Sequence, residues 1–109
     1  MKYNPAGGAN MSKMVKQAKK VQQQIAAMQE ELENREFEAS SGGGAVTIRV
    51  NGKQQLLGLK ILPEAVDVED MEMLEDMIMA AVNEGIRLSQ DTVSQEMAKI
   101  TGGFNIPGL

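Results

Sequence analysis

The spacing of apolar residues changes twice along this chain, and these changes limit the folds that it can adopt. Apolar residues recur every three or four positions over residues 11–35, at every second position over residues 37–61, and with helical spacing again after Pro63. Helical spacing predicts amphipathic helices, whereas alternation predicts strands with one buried face. We therefore predict an α+β fold of order α-β-β-β-α, in which two long helices flank a small antiparallel three-stranded sheet.

The first predicted helix carries a regular apolar seam. Seven residues spaced alternately three and four apart form this seam: Met11, Met14, Ala18, Val21, Ile25, Met28 and Leu32. Heptad spacing of this kind fits either packing against another helix of the same fold or an autonomous coiled coil. Packing within the fold is favoured, because so short a seam with Met and Ala makes a weak zipper. Residues 1–10 are predicted to be a flexible lead-in, and residues 11–109 a single domain.

Three strands are predicted between residues 37 and 61. Their apolar residues are Phe37 and Ala39, then Val46, Ile48 and Val50, then Leu57, Leu59 and Ile61. Asn51-Gly52 predicts a two-residue hairpin turn with positive φ at both positions, which would pair Val50 with Lys53. The three glycines at 42–44 predict the other reversal. A phosphate-binding loop is the alternative there, but the GK[ST] ending and the following helix that such a loop needs are absent.

A second long helix is predicted after the third strand. Asp67 is its predicted N-cap, and Gly102-Gly103 would end it. Its core face would comprise Met71, Leu74, Met77, Ile78, Ala81 and Val82. The acidic residues at 64–76 suit the positive end of a helix dipole; a divalent-cation site is the alternative, but it lacks the spacing and glycine of an EF-hand. Gly85, inside the helix, predicts a tight helix crossing.

The side chains that the sequence contains exclude most mechanisms used by small enzymes. Without Cys or His, the chain can form no disulfide, no zinc site of the Cys/His type and no His acid–base pair. We therefore predict no catalytic residue, no metal, no cofactor and no small-molecule substrate. The longest apolar run, residues 77–82, is far shorter than the roughly 20 residues that span a bilayer, and no signal-peptide core is present. A soluble, intracellular protein is expected.

Charge is segregated along the sequence. Residues 1–29 carry five lysines and no acidic residue, whereas residues 64–76 carry seven acidic residues and no basic one, within a net charge of −4. If the two helices pack antiparallel, the lysines lie at a tip far from the sheet. The lysines expected near that tip are Lys13, Lys16, Lys19 and Lys20 in the first helix and Lys99 late in the second. A basic tip fits contact with a polyanion, and the alternative is a lysine surface that only solubilises.

Four segments, in order, resemble the YbaB/EbfC family of bacterial nucleoid-associated proteins. They are the lysine-rich first helix, "GGGAVTIRVNGKQQLLGLKI" at 42–61, "LPEAVDVEDMEMLEDMIMAAVNEG" at 62–85 and "TGGFNIPGL" at 101–109. The resemblance implies a tweezer-shaped homodimer whose projecting helices bind double-stranded DNA with little sequence preference, in the cytoplasm and on the nucleoid of a bacterium, without catalysis. Carried over by position, the DNA-binding residues would be Lys13, Lys16, Lys19 and Lys20, with Lys99 as a weaker candidate.

The sequence departs from the family pattern at one place. Relatives continue "AAxNEAxxK", whereas this chain has "AAVNEGIRLSQ", with Gly85 for the alanine and Arg87 followed by Leu88 where a second lysine is frequent. The basic surface is therefore thinner than in relatives. The alternative function is a protein–protein interaction dimer or adaptor without direct DNA binding, in which the seam and the methionines bind another helix.

A homodimer is also expected on physical grounds. A sheet of three strands buries little apolar area, and the whole chain has only three aromatic residues. A second subunit would complete the core by covering the apolar surface that a lone chain exposes.

Overall fold

A computed structural model describes residues 5–102, and the side chains of residues 11–100. The elements are α1 (Pro5–Asn34), β1 (Glu36–Ser41), β2 (Val46–Asn51), β3 (Leu56–Ile61) and α2 (Met71–Gly102), with short 3-10 turns at Gly42–Gly44 and Pro63–Ala65. The strands form one sheet of order β1-β2-β3, and both neighbouring pairs are antiparallel. The predicted α-β-β-β-α order and fold class are confirmed.

The first helix begins earlier than the sequence predicted. It starts at Pro5, six residues before the expected start at Met11, so most of the predicted lead-in belongs to α1. Proline suits the first helical position, because its φ is already helical and the N–H that it lacks would have no partner there. Residues 1–4 lie outside the described residues.

The core lies between α2 and one face of the sheet. Its buried members are Phe37, Ala39, Val46, Ile48, Val50 and Ala81, and the partly buried Ile61, Leu74, Met77, Ile78 and Val82 pack around them. The predicted core face of α2 is confirmed except for Met71, which is 48% exposed. The helix packs on β1 and β2, so the apolar side chains of β3 receive little cover.

Gly85 lies where α2 packs closely on the sheet. A Cβ placed on this residue would lie 2.4 Å from Cδ1 of Ile48 and 3.5 Å from Cγ2 of Val50. The predicted close packing at Gly85 is confirmed, but the predicted partner is wrong. The helix crosses strand β2 at this point, because the sheet and not α1 lies beneath this part of α2.

The β2–β3 hairpin differs from the predicted two-residue turn. Val50 pairs with Leu56 and not with Lys53, and the register shifts by a bulge between Arg49 and Val50. The triple glycine, in contrast, forms the predicted reversal between β1 and β2, with φ of 61°, 67° and 97° at its three positions. These are backbone angles that glycine adopts without steric cost.

The loop of the β2–β3 hairpin contains three residues, 52–54. The N–H of Gln54 donates to the carbonyl of Asn51, and the N–H of Asn51 donates to the carbonyl of Gln55, both at 3.1 Å. Positive φ occurs at Gln54, at 66°, and at neither Asn51 nor Gly52. This is the common hairpin in which a type I turn is followed by one left-handed residue.

Two contacts explain why Asn51-Gly52 does not form the two-residue turn. A Cβ on Gly52 would lie 1.9 Å from the carbonyl oxygen of Leu32, so glycine is required there by the end of α1. Oδ1 of Asn51 accepts the N–H of Lys53 at 2.9 Å and that of Gln55 at 3.1 Å. The asparagine therefore orders the longer loop through its side chain.

The N-cap of α2 is Asp70, and the predicted cap at Asp67 is wrong. Oδ1 of Asp70 accepts the N–H of Met73 at 3.2 Å, the bond expected of an N-cap. Asp67 lies one turn earlier, where its Oδ1 accepts the N–H of Glu69 at 2.9 Å and its carbonyl accepts the N–H of Asp70 at 3.0 Å. Asp67 thus orders the turn that leads into the helix.

Replacing Gly52 with Ala should lower the free energy of unfolding by about 2 kcal/mol, within the usual cost of overpacking, because the new methyl group would overlap a backbone carbonyl. Gly58→Ala is the matched control, since its Cβ would meet only the flexible side chain of Arg49, 3.0 Å away. Denaturant unfolding of both variants provides the comparison. Equal stability of the two would contradict the assigned contact between Gly52 and Leu32.

Candidate nucleic-acid interface

The molecule is elongated and measures 86 × 24 × 17 Å. The first half of α1 projects from its body. The C-terminal part of α1 runs antiparallel to the C-terminal part of α2. One groove between them is lined by Gln29, Leu32, Val93 and Met97, among others, and a second groove by Gln24, Ala27, Met28, Lys99 and Ile100, among others. All ten side chains of residues 11–20 are exposed. We call residues 11–20 the arm.

The predicted seam is buried only where α2 lies beside it. Leu32 is only 1% exposed, and Val21, Ile25 and Met28 are partly buried. In the arm, the same seam is uncovered, since Met11 is 68% and Met14 67% exposed. The predicted packing of the seam within the fold is therefore confirmed for residues 21–32 only.

The arm carries the four predicted lysines of α1. Lys13, Lys16, Lys19 and Lys20 are all exposed. Within the described part of the chain, their ammonium groups form no ion pair. By helical geometry, Lys13, Lys16 and Lys20 lie on one face, on the side of α1 roughly opposite the seam. The arm thus offers four positive charges to an external group.

Lys99 has a different environment from the arm lysines. Its Nζ lies 3.2 Å from Oε1 of Glu96, and it lines the groove beside Gln24, Met28 and Arg35. Lys99 therefore lies beside a carboxylate, unlike the arm lysines.

Arg87 lies between two carboxylates of its own helix. Its Nε lies 3.0 Å from Oε2 of Glu84, and its Nη1 lies 2.8 Å from Oδ2 of Asp91. The hydrogen bond between Arg87 and Glu84 lowers the pKa of the carboxyl group and raises the pKa of the guanidinium. Two carboxylates therefore balance the charge of Arg87, and sequence reasoning could anticipate this from the spacings of three and four residues.

The acidic segment at 64–76 lies at the start of α2, remote from the arm. Among the described residues, no group of three or more acidic, His or Cys side chains is arranged to hold a metal ion. Neither helix, as far as the structure describes it, has an apolar stretch long enough to cross a membrane.

Comparisons with known proteins agree with this architecture. The crystal structure of an uncharacterized Helicobacter pylori protein shares the fold with a TM-score of 0.67 and 21% identity, over 83% of this chain and 95% of that one. A nucleoid-associated protein of Clostridium kluyveri is 52% identical over 97% of this chain and 93% of its own length. A nucleoid-associated protein of Moorella thermoacetica is 56% identical over 94% of this chain and 99% of its own.

A family model also matches most of the chain. The model of the YbaB/EbfC DNA-binding family matches residues 7–104, which include the arm, the sheet and both helices. The chain belongs to the YbaB/EbfC DNA-binding family.

Proposed function

We propose that this protein is a nucleoid-associated DNA-binding homodimer of the bacterial cytoplasm, which contacts duplex DNA through the lysines of its arms with low sequence specificity. The observation that carries the proposal is the set of exposed arm lysines, which have no carboxylate partner within the described part of the chain. Membership of the family and the names of the relatives support the same function. Catalysis forms no part of the proposal.

Phosphate groups are the part of DNA that the arm suits best. Lysine is a flexible point charge, whereas base reading commonly uses arginine forks or amide side chains. Residues 11–20 contain no arginine, asparagine or aromatic residue, and Gln17 is their single amide side chain. Contacts of this type position a protein on DNA without reading its sequence, so low specificity follows.

The surface around β3 supports the homodimer. Three of its leucines are strongly exposed: Leu56 is 51%, Leu57 44% and Leu59 47% exposed. Met71 and Met73 at the start of α2 are also about half exposed. Exposed apolar side chains along a strand at the edge of a sheet are typical of a subunit interface. A second copy on this surface would place two arms in one particle, as a tweezer shape requires.

Protein binding without DNA contact is the second candidate function. Its support is the uncovered seam of the arm, where Met11 and Met14 are about two-thirds exposed. In this alternative the lysines only keep the arm soluble. Removal of the arm lysines distinguishes the two functions. It should weaken DNA binding if the lysines contact phosphates, and it should leave DNA binding unchanged if they only keep the arm soluble.

The affinity for duplex DNA should fall steeply with salt. If each arm neutralises three phosphates, a dimer contacts about six, and counterion release gives a slope of roughly −5 for log K against log salt. Fluorescence anisotropy measures the affinity for two unrelated duplexes at salt concentrations from about 50 to about 200 mM. The data give both the salt slope and any preference for one sequence. A slope near zero, or strong preference for one duplex, would contradict phosphate contact.

Reversing Lys13 and Lys16 to Glu should reduce DNA binding by tenfold or more at low salt, because each lost contact also becomes a repulsion. Lys53→Glu with Arg87→Glu is the control, since both positions are exposed, lie outside the arm and strand β3, form only exposed ion pairs and change the net charge equally. Gel-shift titrations compare the two double variants. Equal weakening would show that only overall charge matters.

The same arm variant also tests an architectural origin of the lysines. Because α1 begins at Pro5, residues 13 and 16 lie beyond its first turn, where the helix dipole has little effect. Helicity and the unfolding midpoint should therefore stay unchanged, as circular dichroism can check. Loss of stability in the reversed variant would mean that the lysines pair with acidic groups inside the assembly.

A further inference from the structure

The arm has an apolar side as well as a basic one. Met11 is 68%, Met14 67% and Val15 52% exposed, and Ala18 is exposed beside them. We call these four residues the apolar stripe. A helix with an apolar stripe on one side and lysines on the other is typical of segments that lie on membrane surfaces. We propose that the arm binds the surface of a bilayer that contains anionic phospholipids, with the apolar stripe in the headgroup region.

The apolar stripe is continuous along one side of the arm. Met14 and Val15 follow Met11 by three and four residues, and Ala18 follows them by four and three, so all four side chains share one side of the helix. When the lysines face DNA phosphates, this side points away from the DNA. A ligand that uses both sides of the arm therefore needs an apolar part as well as negative charge. An anionic phospholipid has both.

The charge of the arm complements an anionic surface. Its four lysines are exposed, and residues 1–29 contain no acidic residue that a negative surface would repel. A helix is about 10–12 Å wide, so lysines on its far side stay within about one Debye length of the headgroups and can reach them with flexible stems. Lys19 follows Val15 by four residues and therefore lies at the edge of the apolar stripe.

The acidic start of α2 is too distant to oppose this contact. Leu32 and Val93 line one groove, where the two helices run antiparallel. From Lys20 to Leu32, α1 extends about 18 Å, and from Val93 to Asp76, α2 extends about 25 Å in the same direction. The nearest acidic residues of the segment 64–76 therefore lie about 40 Å from the arm lysines, several times the Debye length of about 8 Å.

The size of the apolar stripe favours a lipid surface over a protein partner. Residues 11–20 form a helix about 15 Å long and 10–12 Å wide. One side of such a helix is far smaller than the roughly 800 Å² that each partner buries in a specific protein interface. A lipid surface adapts to any amphipathic helix and adds attraction for each lysine near it.

Co-sedimentation of the whole protein with vesicles tests the proposal. Vesicles of phosphatidylglycerol and phosphatidylcholine in equal amounts should bind the protein, and vesicles of phosphatidylcholine alone should not. Met11→Gln with Met14→Gln should lower the affinity for the anionic vesicles by about tenfold or more, because the apolar stripe is lost while every lysine stays. Met79→Gln, at a methionine of α2 that is 55% exposed, is the control and should bind like the unmodified protein.

Three results would overturn the proposal. The first is no binding to the anionic vesicles. The second is equal binding by the double variant, since the lysines alone would then hold the protein on the lipid. The third is a smaller particle for the double variant in sedimentation without vesicles, because the apolar stripe would then join copies of the chain. DNA binding by the double variant, which keeps all arm lysines, should be unchanged, so failure with vesicles leaves the proposed DNA contact standing.

A polarity-sensitive fluorophore gives a second measurement, because the chain has no cysteine of its own. The label is attached at Met14→Cys or, as the control, at Gln23→Cys. Gln23 is exposed and follows Lys16 by seven residues, so it lies on the lysine side of α1. Anionic vesicles should brighten and blue-shift the label at position 14 and leave the label at position 23 nearly unchanged. Equal responses, or no response at position 14, would contradict insertion of the apolar stripe.

Discussion

The packing of α2 across one face of the sheet is the contact on which the rest of the structure depends. Val46, Ile48 and Val50 of β2 are at most 1% exposed beneath it, and Ala81 of α2 is fully buried. Each buried valine or isoleucine contributes about 1.5–3 kcal/mol, and Gly85 allows the helix to approach this row closely. Since α2 covers β1 and β2, the same contact leaves β3 as the apolar surface that we assign to a second subunit.

The direction of the arm depends on a junction at the other end of α1. Gly52 contacts the backbone of Leu32, the buried last residue of the seam. The hydroxyl of Ser89 in α2 donates to the carbonyl of Asn51 and accepts from Nε2 of Gln54, both at 3.0 Å. These contacts join α1, the hairpin and α2 at one place. The orientation of the lysines is therefore set by a turn that lies far from them.

The charges of the helices separate into paired and unpaired groups. Lys99 and Arg87 each lie beside a carboxylate of their own helix, whereas no such partner is found for the arm lysines in the part of the chain that the structure describes. Lysines near the start of a helix oppose its dipole, but this effect fades beyond the first turn. Because α1 begins at Pro5, Lys13 lies about two turns inside, so a basic arm has little cost to helix stability.

Much of the architecture was predictable because burial repeats at fixed spacings. The order of elements, the core face of α2 and the seam all follow from periodicity, and the lysines of α1 could be assigned to one helix from sequence. Asn51-Gly52 was misread, because Gly52 is required by its contact with Leu32, 20 positions earlier in the chain. The sequence by itself determined which residues form helices and strands and where the charges lie. Only the tertiary structure decided the loop length, the partner of Gly85 and the covered half of the seam, because each depends on contacts between residues distant in sequence.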